Sequence, residues 1–481
     1  MGRAAPLLVL LFAITAGVYL LSGKTFFGYD GEITYRMSES LVLRHTAVIT
    51  DPVYHVSQPY SPYGIGLSLL LVPLVFAGWI ALHDPRALVT VFEPAVVAST
   101  CVALAVLLVD LESTWRRALW LALVFAFATL AWHYSGLLVA EPAIGLSTVL
   151  AVLWLHRFSV SPRGRFLWLA GAALGVAVVM RWDALLLAAI PCGIYAGWGI
   201  LRTRPSWRAR LGDAVALGTP IAAAVAINVW WDVFRWGGVF GGPQGANGYG
   251  FNTPLVKGVF GLLLSPGAGL LVYVPVLVLA MVGAPAFFRR WKAEALLIAA
   301  LLVVRLPIYG RWWAWEGGTT WGPRYLLPVI ALLLVPIAFI PARRGLRILA
   351  WSFAGISAAI ELLGQAVPFG MYYGPIASGI VRAYHLLAAP DGTPIPGAAS
   401  QAVNNIIDFN WIYAPIPMQI EFMVHGLVDP MWARLALLLP LTLALVVAAI
   451  VRMSQIASRM DNALKEKGRP VGRPLRRSSS G

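Results

Sequence analysis

The chain has 481 residues, 59% hydrophobic and only 12% charged, with 36 Lys/Arg against 21 Asp/Glu and a net charge of +15. Soluble domains carry about 25% charged residues, so this composition excludes an ordinary water-soluble enzyme. Repeated apolar runs of membrane-spanning length, separated by basic clusters, indicate an all-α polytopic membrane protein. Alternating strands of the barrel type are absent. Cys101 and Cys192 both fall in apolar runs, so no disulfide framework or thiolate metal site is expected. No internal repeat and no separate soluble domain stand out.

The first run, "MGRAAPLLVLLFAITAGVYLLSG", is longer than a usual signal-peptide core and reads as a retained first helix. Hydropathy then predicts spans over 4–22, 88–109, 118–138, 142–156, 166–180, 184–201, 214–234, 268–288, 295–310, 325–341, 347–363 and 432–452. The apolar stretch 62–82 is decided by charge. If it crosses, the basic clusters at 112–117, 157–165, 201–210, 287–292 and 341–347 fall opposite Arg3. If it lies in the interface or re-enters, all of them and the basic tail share the side of Arg3, as the positive-inside rule requires. The expected fold therefore has about twelve transmembrane helices with both termini cytoplasmic. A module over 1–340 includes the first outer loop, 23–87; helices over 341–452 and a basic tail over 453–481 follow. The basic face suits anionic membrane lipid. No basic–aromatic domain outside the membrane suggests nucleic acid.

The chemically distinctive residues fall on the predicted outer face. "GYDGEITYRM" (28–37) places Asp30 and Glu32 just after the first span, where acids are also ordinary helix N-terminal residues. Ile33, Met37 and Leu41 recur every four residues, as on an amphipathic helix lying along the interface. "YHVSQPYSPYGIG" (54–66), with His55 and Tyr63, suits either an aromatic belt or a sugar-binding surface. Glu141 sits between two apolar runs with almost no loop to hold it, a costly place for an unpaired carboxylate. Arg181 and Asp183 interrupt another apolar stretch, as a mutual ion pair at a tight turn or as a headgroup contact.

Further along, the glycine-rich loop 228–254, with Tyr249, lacks the ending of a phosphate-binding P-loop. "LLLSPGAGLL" (262–271) breaks an apolar run, as a simple kink or as a cavity lining. "RLPIYGRWWAWEGGTTWGPRYLLP" (305–328) is densest, with Arg305, Arg311, Trp312, Glu316 and Arg324. Arg324 opens the next span, and the planar guanidinium suits a phosphate, although an interface anchor or a structural ion pair would look alike. The long outer segment 364–431 is a candidate lid.

An N-terminal span, a long first outer loop with an acidic motif near its start, and a carboxylate at a later short outer turn together resemble the GT-C superfamily of polyprenyl-phosphate-dependent glycosyltransferases. The "WGPRYLLP" stretch (321–328) is similar to one in many bacterial membrane proteins assigned there. The resemblance covers roughly residues 1–340. It implies juxtamembrane helices in the first outer loop and a catalytic acid at Asp30, with Glu141 at the second acidic position and Glu32 assisting. Asp-Gly-Glu replaces the adjacent Asp-Glu of the family motif. The implied donor is a polyprenyl-phosphate sugar, its phosphate met by Arg324, Arg181 or Arg311. Tyr63, His55, Trp312 and Tyr249 are candidate sugar contacts. The implied acceptor is an envelope lipid, glycan or protein on the outer face of the plasma membrane. A divalent cation, Mg or Mn, is an allowed cofactor, with no metal ligand assigned. A multi-span transporter or lipid flippase and a non-enzymatic scaffold are the competing classes.

Overall fold

Leu-, Val- and Ala-rich stretches close their backbone hydrogen bonds within the segment, which an apolar environment demands. The computed structural model describes residues 4–22, 28–49, 59–239, 250–318, 320–367, 369–384, 398–428 and 430–466. Among them the ordered elements are helical. The first half runs α1 (Ala5–Leu21), α2 (Tyr29–Leu43), α3 (Ile65–Leu82), α4 (Phe92–Asp110), α5 (Trp115–Phe127), α6 (Ala131–Tyr134), α7 (Ala140–Val160), α8 (Gly164–Met180), α9 (Ile190–Thr203) and α10 (Trp207–Trp236). The second half runs α11 (Leu255–Leu264), α12 (Leu270–Tyr273), α13 (Val278–Arg290), α14 (Lys292–Arg311), α15 (Leu327–Leu333), α16 (Arg344–Ala366), α17 (Phe369–Ala383), α18 (Ala398–Phe409), α19 (Pro415–Val424) and α20 (Pro430–Glu466).

Seven described helical stretches are long and apolar enough to cross a membrane: Ile65–Leu82, Val89–Asp110, Ala140–Val160, Leu185–Thr203, Trp207–Trp236, Lys292–Arg311 and Arg344–Ala366. Large apolar side chains on their outer faces, such as Ile194, Trp198, Val303 and Trp351, are exposed, as a lipid-facing surface requires. Two of the expected spans are interrupted. Within 118–138 the helix breaks after Phe127, where the Thr129 hydroxyl bonds the Phe125 carbonyl (2.7 Å) and accepts from the Ala131 amide (3.3 Å). Within 268–288 it breaks at Val274, which precedes Pro275 and takes a non-helical conformation.

The bundle has two chemically different ends. At one, Arg157 donates to Asp110 (2.6 Å), Arg290 pairs with Glu112, and Arg117 donates to the Ala338 carbonyl (2.8 Å). Asp461 of α20 accepts from the Trp115 amide (2.9 Å). Three of the basic clusters read from the sequence and the start of the basic tail thus meet there. At the other end α7 begins and α8 finishes, joined by Arg181 and Glu141 at 2.8 Å.

α3 starts at this second end. A Cβ on Gly64 would lie 2.3 Å from the Met180 carbonyl oxygen, and one on Gly66 would lie 2.8 Å from the Met180 amide, so only glycine permits the approach. The loop after α3 folds back, with Arg86 pairing to Glu32 of α2. The chain then enters α4, whose Glu93 interacts electrostatically with Glu141. Both ends of α3 therefore return to one end of the bundle, although its length and apolarity would let it cross.

Two outcomes follow. Gly66→Ala should force α3 away from α8 and destabilise by about 1–3 kcal/mol, the usual range for overpacking, readable as a lower melting temperature in detergent. A single cysteine at His83 should be labelled by an impermeant maleimide from the side that labels position 30; labelling from the opposite side would mean that α3 crosses.

Candidate active site

The site forms where α2, the loop before α3, α7, the turn after α8 and the Arg324–Leu326 turn converge. Asp30 lies in the first turn of α2. Its Oδ2 accepts from Arg324 Nη1 at 3.0 Å and its Oδ1 from the Tyr63 hydroxyl at 2.6 Å. Burial, followed by the Asp30 carboxylate, pushes the Tyr63 phenol well above its ordinary value, so the hydroxyl stays protonated and donates. Tyr63 is itself held from below. Arg235 Nη1 donates to the carbonyls of Ser61 and Tyr63, and the Trp231 indole also donates to Tyr63 O.

Glu141 opens α7 and is buried. Its Oε1 accepts from Arg181 Nη1 at 2.8 Å and lies 3.7 Å from Arg324 Nε. The other arm of Arg181 reaches Asp183 Oδ2 at 2.8 Å, which also accepts from the Tyr309 hydroxyl at 2.6 Å. Tyr309 stacks on Tyr325 with centroids 4.4 Å apart, and Arg181 and Arg324 lie 5.4 and 5.3 Å from the Tyr325 ring centre. The result is a continuous run of alternating charge: Asp30, Arg324, Glu141, Arg181, Asp183.

Of the residues singled out in the sequence, the structure thus brings together Asp30, Tyr63, Glu141, Arg181 and Arg324. Glu32 points elsewhere and pairs with Arg86. Positions i and i+2 of one helix face different sides, so Asp30 and Glu32 cannot share a target. Arg311 is at the end of α14, where Nη2 donates to the Phe251 carbonyl at 3.0 Å. Trp312 packs edge-on against Phe251, 5.4 Å between centroids. His55 and Tyr249 lie outside the described residues. Sequence reasoning missed Tyr309, Tyr325 and the buried Glu93 as members of the site. Tyr325 adjoins Arg324 and Tyr309 is one turn from Arg305, but their stacking comes from two distant segments.

Among the described residues, the donors at this site do not suit a divalent cation. Among the described residues no group of three or more His, Cys, Asp or Glu is close enough to hold an ion. The carboxylates of the site already face two guanidiniums, which would repel one.

A second polar cluster ties part of the proposed lid segment to the wall behind Arg324. Asn404 donates to Glu316 Oε1 at 3.1 Å and Lys257 Nζ to Asn405 Oδ1 at 2.5 Å. Asp408 adjoins Gly267 of the broken "LLLSPGAGLL" stretch, with its carbonyl accepting from the Gly267 amide at 3.0 Å. Burial, then the Glu316 charge, pushes the Asp408 carboxyl well above the usual range, and burial likewise raises Glu316. An acid with a raised folded pKa stabilises fully below its unfolded value and loses that contribution as pH rises through the folded value. Stability should therefore decline upward from about pH 4. Asp408→Asn should narrow the difference in melting temperature between ~pH 5 and ~pH 8; an unchanged difference would place the titration elsewhere.

No family model and no curated protein matches the sequence. Among solved structures, ArnT from Cupriavidus metallidurans in the apo state is similar to this chain with a TM-score of 0.46 and 15% identity, over 80% of this chain and 66% of that one. The apo oligosaccharyltransferase of Archaeoglobus fulgidus is similar with a TM-score of 0.45 and 14% identity, over 81% and 58%. The AglB oligosaccharyltransferase of the same organism, in complex with an inhibitory peptide and a dolichol-phosphate, gives 0.44 and 13%, over 81% and 58%. The chain spans two thirds or less of the length of these proteins. The likeness is one of outline, and the chemistry of the site rests on its own residues.

Proposed function

We propose that the chain is a multi-pass membrane glycosyltransferase of the GT-C type. It moves a sugar from a polyprenyl-phosphate donor to an envelope lipid, glycan or protein acceptor on the extracytoplasmic face of the plasma membrane. The observation that carries this reading is Arg324, held 3.0 Å from Asp30 and 3.7 Å from Glu141, with Arg181 on the same Glu141 oxygen. Two guanidiniums at one end of an apolar bundle suit a lipid phosphate, and the carboxylate beside them suits a hydroxyl.

In the proposed reaction the acceptor hydroxyl oxygen attacks the anomeric carbon. The bond from that carbon to the phosphate oxygen breaks, and its electron pair leaves with the lipid phosphate. Asp30 takes the hydroxyl proton. The phosphate competes with Asp30 for Arg324, which frees that carboxylate oxygen to meet the acceptor hydroxyl as the donor arrives. Tyr63 keeps the other Asp30 oxygen and so fixes the carboxylate plane. Glu141 holds both arginines against the charge that develops on the leaving phosphate.

The test is transfer from a radiolabelled polyprenyl-phosphate sugar to an envelope acceptor in proteoliposomes. Asp30→Asn should lower the rate by about 10²–10⁴-fold, and an unchanged rate would remove Asp30 as the base. A wild type inert with every donor sugar, but whose lipid translocation is lost in Arg181→Gln, would identify a flippase instead.

A further inference from the structure

Arg305 lies in the C-terminal half of α14, 1% exposed, inside a stretch apolar enough to cross a membrane. A guanidinium in such a place is costly and ordinarily has an acidic partner. Among the described residues no carboxylate lies within ion-pair distance of it. Its Nη1 instead donates to two carbonyls, Leu187 at 2.6 Å and its own Leu301 at 2.9 Å, while Nε has no hydrogen-bond partner.

The Leu187 carbonyl explains the arrangement. Residues Leu185–Ala189 form a π-helical turn at the entrance to α9. In the α-helical register the Leu187 carbonyl would pair with the amide of residue 191. That residue is Pro191, which has no N–H. The carbonyl thus has no α-helical donor, and Arg305 donates to it in the buried interior from a neighbouring helix. Two residues before the π-turn is Asp183, the partner of Arg181. One turn further along α14 is Tyr309, which donates to the same Asp183 oxygen at 2.6 Å. One face of α14 thus holds both the π-turn and the carboxylate that aims Arg181.

We infer that Arg305 is a positioning residue for donor-phosphate binding: it pins the π-turn through the Leu187 carbonyl, and with Tyr309 it sets Asp183 and hence the direction of Arg181. This rests on the reading of Arg181 as a phosphate contact. Removing the pin leaves Arg181 present, charged and still paired to Glu141 but no longer aimed by Asp183, so lipid-phosphate affinity falls while the proton-accepting Asp30 is untouched.

The experiment measures binding of a polyprenyl phosphate, against the uncharged polyprenol of the same length, to the full chain in nanodiscs. Wild type should prefer the phosphate. Arg305→Met and Tyr309→Phe should each weaken phosphate binding about tenfold without changing polyprenol binding, and Arg305→Lys, which keeps a donor for Leu187, should recover most of the loss. In transfer assays the same variants should raise KM for the donor more than they lower kcat. In an Arg181→Gln background neither substitution should weaken binding further, because the effect passes through Arg181. Additive losses in that background would overturn the inference alone. A wild type that binds polyprenol as tightly as the phosphate would overturn it together with the phosphate reading. Should Arg305→Met fail to fold, Tyr309→Phe and Arg305→Lys carry the same comparison.

Discussion

A guanidinium near the mouth of an apolar bundle must be compensated, and this requirement governs the arrangement around Arg324. Its counter-charges come from two helices far apart in sequence, Asp30 of α2 and Glu141 of α7. Bringing α2 to that point needs α3 to begin against the end of α8, which the glycines at 64 and 66 allow. Bringing α7 there needs the tight turn at Arg181, whose side chain completes the neutralisation of Glu141. Breaking one of these contacts leaves a charge stranded in a poorly hydrated setting, which costs more than the contact itself contributes.

The tyrosine stack links this charge network to the body of the protein. Tyr325 lies beside both arginines and rests on Tyr309, whose hydroxyl is already spent on Asp183. Cations over aromatic rings keep their charge while accepting partial desolvation. The site is therefore braced by an apolar contact that tolerates positive charge. The opposite end of the bundle is built differently, from pairwise ties such as Arg157 with Asp110, His156 with Glu294 and Arg204 with Asp213. These hold helix ends together and, among the described residues, form no comparable run of alternating charge.

Individual residues show how far sequence alone carries. Glu141 stood out because it separates two apolar runs, and Arg324 because it opens a span, where burial of a charge demands a reason. Arg181 and Asp183 were readable as a local ion pair, and they form one. What was not readable is that Arg181 forks, with its second arm on a carboxylate forty residues earlier. Glu32 resembled Asp30 in every respect except helix phase, and phase turns it to Arg86. Arg311 and Trp312 sit in the same dense stretch as Arg324, yet they lie at the C-terminal end of α14 and pack on Phe251. Tyr63 looked like a possible sugar contact; in the structure it is a hydrogen-bond donor to Asp30.

The sequence by itself determined the solvent in which the protein works, its helical character and the segregation of basic clusters from acidic and aromatic loops. Those properties follow from composition and period, which are sums over local residues. Tertiary structure decided which carboxylate meets which guanidinium, that both ends of α3 return to one end of the bundle, and that Arg305 serves a carbonyl to which Pro191 offers no α-helical donor. These depend on distances between helices brought together from separate parts of the chain. A single missing N–H on one helix can then be answered by a side chain more than a hundred residues away, and no local pattern records that the two will meet.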